Sequence, residues 1–194
     1  MPQDGIYLPG FLGQFSSVST AQLTKQSRPL NSLLLEKARQ LGLSLPLDLE
    51  RLAIMRGCEY YDRDLEPRVP PLGEVPFTNA ELAIALISPA LHPGAREIRL
   101  AAALLGALDV NPSEVSALAM RENCGDVVQH IALSGLRFEP RNPFWQNLLD
   151  QLPEVQISSD KLPHPSRFVE MTGIDRGKVG LITRWIRPRG AVSK

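Results

Sequence analysis

Residues 78–152 form a Leu- and Ala-rich tract divided into helix-length pieces by well-formed start and stop signals. That pattern restricts the chain to antiparallel helices packed on one another. Thr78-Asn79-Ala80-Glu81 has the form of a capping box, in which hydroxyl and carboxylate satisfy each other's backbone amides. Asn111-Pro112-Ser113-Glu114 combines an Asn cap, Pro at the first helical position and Glu at the third. Asn142-Pro143 repeats the cap and opens a helix over 143–152.

Two pieces inside the tract, 82–88 and 96–108, have almost no polar face beyond their first turns. A helix apolar all round belongs in a core, so these two are expected at the centre. The helices at 112–123, 126–136 and 143–152 show one apolar face each and are expected around them.

Upstream, Leu34, Leu35, Ala38 and Leu41 recur at helical spacing, and Gly42 ends that segment. A second helix starts near Pro46 with Leu49, Leu52 and Ala53 inward and stops at Gly57. The short joint predicts an αα-hairpin. Residues 59–77 hold Pro67, Pro70, Pro71 and Pro76, which forbid a helix. Their Asp62, Asp64 and Glu59 read as solvated acids rather than an acid–base pair. Pro67 to Pro71 reads as a rigid connector rather than a polyproline ligand.

The tail changes period. Residues 168–174 and 178–186 are β-branched and aromatic around Asp175-Arg176-Gly177, which predicts a β-hairpin. A lone hairpin is marginal in water and must dock or pair. The expected fold is therefore mostly α, an irregular multi-helix bundle or short α-solenoid of antiparallel helix hairpins with a C-terminal β-hairpin. It divides into a polar N-terminal arm (1–30), a helical core domain (31–155) and a basic C-terminal segment (156–194).

An internal likeness accompanies this. Pro46 to Ala53 followed by Cys58 matches Pro112 to Ala119 followed by Cys124, each after a Leu-Gly pair. The cadence resembles the helix-hairpin repeats of tetratricopeptide or HEAT proteins. The Trp, Tyr and Phe that mark a tetratricopeptide unit do not recur at the 34-residue period.

Charge narrows the function. The 194 residues carry 21 basic and 21 acidic groups. Residues 161–194 hold eight basic groups against two acidic ones, a net of +6, so residues 1–160 carry −6. The chain as a whole is no polycation seeking nucleic acid or membrane, and a neutral balance favours self-association. The longest apolar run, 100–108, is far short of the roughly 20 residues of a membrane span. Met1 to Ser16 lacks the plan of a signal peptide. A cytoplasmic protein with no membrane partner is expected.

No arrangement stands out as catalytic. Cys58, Cys124, His92, His130 and His164 have no metal-ligand spacing, so neither a metal nor any other cofactor is expected. Gly173 to Lys178 lacks the spacing and the Ser or Thr of a phosphate loop. Cys124 beside a helix start, with a histidine, is the one enzymatic arrangement that can be drawn, as a dipole-activated thiolate.

The best binding residues are Arg176, Lys178, Arg184, Trp185, Arg187 and Arg189, where guanidiniums grip phosphate and the indole stacks a base. On a strand, however, Arg184 and Trp185 face opposite sides. The favoured alternative is that the tail pairs with the acidic body and Trp185 packs on a helix. The sequence therefore points first to a non-enzymatic protein–protein interaction or scaffold protein, second to a nucleic-acid-associated protein, and third to an enzyme built on Cys124.

Overall fold

A computed structural model describes residues 32–58, 76–154, 162–174 and 181–189. The N-terminal arm, the connection 59–75 with its acids and PxxP stretch, and the hairpin loop with Arg176 and Lys178 lie outside the described residues. The described chain is mostly helical and ends in a two-stranded antiparallel sheet. Its helices are α1 (Leu33–Gln40), α2 (Leu47–Met55), α3 (Asn79–Leu86), α4 (Ala95–Leu105), α5 (Pro112–Arg121), α6 (Gly125–Phe138) and α7 (Pro143–Leu149). The strands are β1 (Val169–Ile174) and β2 (Leu181–Trp185). No helix among the described residues is long and apolar enough to cross a membrane.

The caps fall where their chemistry puts them. Ser32, Thr78, Asn111 and Asn142 each accept a backbone N–H of the first turn that follows. The Thr78–Glu81 box is complete, with the Glu81 carboxylate accepting Thr78 N–H at 2.9 Å. It fixes Thr78 as the cap, so α3 starts at Asn79, three residues before the apolar run. α4 starts at Ala95, one residue before the expected piece. Pro93 stands two residues before the helix, and the Glu97 carboxylate holds Gly94 N–H at 2.7 Å.

Position follows apolarity. Ala80 and residues 82–86 of α3 are buried, as are Ile98 and residues 100–105 of α4. α3 packs on α4, α5, α2 and α1, which makes it the centre of the arrangement. Removing this much apolar surface from water is the main favourable term for such a fold. α4 stops at Leu105 rather than 108, because the bonds after it tighten to the i→i+3 type at Gly106 and Ala107.

The likeness between residues 46–58 and 112–124 has a local cause. α2 ends with Gly57 at φ 97° and Cys58 N–H bonded to Ala53 C=O at 3.1 Å. α5 ends with Asn123 at φ 56° and Cys124 N–H bonded to Ala119 C=O at 3.0 Å. Both are Schellman caps whose following residue is a buried cysteine. α1 closes the same way, through Gly42 at φ 77° and a Leu43 to Ala38 bond of 3.0 Å. What recurs is a helix ending.

Candidate functional site

The C-terminal segment enters through a 3-10 turn, Pro165–Phe168, directly followed by β1. Val169 pairs with Trp185, Glu170 with Arg184 and Met171 with Thr183, with an irregularity between Met171 and Gly173. The root of the sheet sits on the helices, and the described residues further along it are exposed. Phe168 and Trp185 are 1% exposed, whereas Met171 is 72% and Ile182 47% exposed.

Trp185 faces inward. Its indole N–H donates to Ala102 C=O at 3.0 Å. Its ring lies 4.8 Å from Trp145 and 5.4 Å from Phe168 between centroids. The approach depends on absent side chains. A Cβ at Gly106 would fall 2.6 Å from the Trp185 ring, and one at Gly135 would fall 2.2 Å from Trp145. The aromatic group thus fills space left open by Gly106, at the end of α4, and Gly135, inside α6.

Arg187 follows as a tether. Its Nε donates to Gly106 C=O at 2.8 Å, at the carbonyl end of α4 where positive charge is favoured. Its Nη2 donates to Glu139 at 2.5 Å. Glu139 also accepts from Trp145 Nε1 at 3.0 Å and Asn142 Nδ2 at 3.1 Å. Burial alone would raise the Glu139 pKa. The donors from Arg187, Trp145 and Asn142, with the Arg187 charge, hold it below the ordinary carboxylate value. Arg189 N–H then donates to Gly57 C=O at 2.8 Å, tying the chain to the end of α2.

The six residues singled out from sequence therefore separate. Trp185 is buried and Arg187 is ion-paired to the body. Arg184 and Arg189 are exposed, and Arg176 and Lys178 lie outside the described residues. The alternation expected along the strand holds at Arg184 and Trp185. It fails at Ile186, buried beside Trp185, because β2 has ended.

The polar cluster of Glu139, Asn142, Trp145 and Arg187 was not legible from sequence. Its only local sign is a Glu three residues before an Asn-Pro cap. It borders an open cleft of about 530 Å³ lined by Glu139, Pro140, Arg141, Asn142 and Arg187. A second cleft, about 270 Å³, lies beside Met120, Asn123 and Pro153 at the α5–α6 turn.

Neither of these two clefts is lined by a cysteine or a histidine. Cys58 and Cys124 are fully buried. Burial pushes each thiol up to about 12, helped at Cys124 by the charges of Glu122 and Asp126. At Cys124 these influences run against the lowered thiol pKa that an activated thiolate needs. His130 Nε2 lies 2.9 Å from Pro163 C=O, and its ring meets Phe168 edge-on at 5.9 Å. His164 Nδ1 lies 2.8 Å from Ser166 Oγ, and His92 is exposed at φ 51°. Among the described residues no three of His, Cys, Asp or Glu gather as a metal site would require.

No protein-family model matches this chain, and neither a curated protein nor a solved structure is significantly similar to it.

Proposed function

We propose that the protein acts by binding another protein, as an interaction or scaffold component, rather than by catalysis. One observation carries this reading. A two-stranded sheet, marginal by itself, holds Met171 and Ile182 in water beyond the helices that support its root. Each strand has one open edge among the described residues, and an open edge with apolar side chains accepts another chain. The burial of both thiols lends further support, since a nucleophile must reach its substrate. The exposed Arg184 and Arg189 keep a nucleic-acid reading in second place, and the burial of Trp185 takes away its stacking ring.

The test places a photo-crosslinking amino acid at Met171 in the full chain, in extracts of its own source. A discrete adduct with one protein, or with a second copy, is expected at that position and not at exposed Glu36 on α1. A smear equal at both positions would overturn the reading. So would turnover of a hydrolase panel that disappears in Cys124→Ala.

A further inference from the structure

The cleft at the α6–α7 turn has the chemistry of an acidic-peptide site, and we infer that it receives a carboxylate-bearing segment of a partner protein. This rests on the interaction reading above and adds a place and a ligand chemistry to it.

Two guanidiniums line the cleft. Arg187 is fixed by Gly106 C=O and Glu139, with a longer contact to Trp185 C=O at 3.4 Å. A guanidinium has five N–H donors, so two of its N–H groups remain beyond these three contacts. Arg141 is exposed and, among the described residues, has no hydrogen bond or ion pair. All its donors are open to a carboxylate, which a guanidinium fork binds in bidentate fashion. Arg137, the residue before the last of α6 and four before Arg141, is a further exposed cation, 5.7 Å over the Phe138 ring.

Glu139 decides what kind of anion fits. Trp145, Asn142 and Arg187 all donate to its Oε2, and none of these bonds falls on Oε1. A bare polyanion would meet that oxygen with nothing to offer it. A peptide brings backbone N–H donors beside its side-chain carboxylates and satisfies both Oε1 and Arg141. Pro140 supplies an apolar wall.

Nucleic acid fits less well. Among the described residues every Trp is buried and no Phe is exposed, so the face offers no ring on which a base stacks.

Fluorescence anisotropy of the full chain with a labelled deca-glutamate peptide tests the inference, against a deca-glutamine peptide and a single-stranded oligonucleotide of equal charge. The expected result is salt-sensitive binding of deca-glutamate alone, weakened about tenfold by Arg141→Ala. Arg39→Ala, on exposed α1 surface, should leave it unchanged. Absence of binding at low salt, an Arg141→Ala loss below about twofold, or equal binding of the oligonucleotide would each overturn it. If the Met171 adduct forms while Arg141→Ala changes nothing, the interaction reading survives and this site falls. If Arg141-dependent peptide binding is found without an adduct, the site stands and the hairpin is not the contact.

Discussion

The indole N–H of Trp185 donates to the carbonyl oxygen of Ala102 at 3.0 Å, across 83 residues of sequence. Ala102 C=O already accepts Gly106 N–H at 3.2 Å, so the indole uses its second lone pair. The bond fastens the hairpin root to the last turn of α4. Trp185→Phe should therefore cost only about 1 kcal/mol, since the carbonyl keeps its helical partner. Trp185→Ala opens a cavity beside Trp145 and Phe168 and should cost about 3–5 kcal/mol. Urea melts followed by far-UV circular dichroism separate the two.

Glycines divide by what lies above them. Gly135→Ala places a methyl 2.2 Å from the Trp145 ring and should destabilise strongly, with partial rescue by Trp145→Leu. Gly42→Ala meets nothing within 4 Å and carries only the left-handed strain of φ 77°, about 1 kcal/mol. Equal losses at both positions would contradict the close approach of α6 and α7.

Acid should loosen the C-terminal tether. Glu139 titrates below its unfolded value, so its contribution is fully present above the ordinary carboxylate pKa. It is lost as pH falls through that value and then through the lower folded one. Glu81, which burial would raise but which Lys37 and the Thr78 amide hold down, acts in the same direction. Glu50 is raised by burial despite Arg96 and acts in the opposite one. Stability measured from pH 7 to pH 3 should fall less steeply in Glu139→Gln than in the parent chain.

Both thiols should be silent in the native state. With pKa values pushed up to about 12 and no exposed surface, Cys58 and Cys124 should react with Ellman's reagent only after denaturation. Rapid labelling of Cys124 in the folded protein would revive it as a nucleophile.

Much of the fold was legible because helix ends are local chemistry. Thr78, Asn111 and Asn142 declare their caps within four residues, and the apolar runs of α3 and α4 declare their burial. The docking of the tail was not legible in the same detail. It depends on Gly57 and Gly106 at helix ends and Gly135 inside α6 leaving room at long sequence range, and a glycine does not say what will lie above it. The Glu139–Arg187 pair, 48 residues apart, was hidden for the same reason. Strand alternation separated Arg184 from Trp185, but only the fold identified which face was covered.

Native-state hydrogen exchange tests most directly whether the C-terminal segment is divided between a docked root and a hairpin left open for a partner. Ile186 N–H, bonded to Phe168 C=O at 2.9 Å, and Arg189 N–H, bonded to Gly57, should be protected as strongly as residues 100–105 of α4. The amides around Met171 and Ile182 should exchange much faster in the isolated chain. If the amides of Ile186 and Arg189 exchange as quickly as those at Met171, the segment is not docked, and the division between root and open hairpin is wrong.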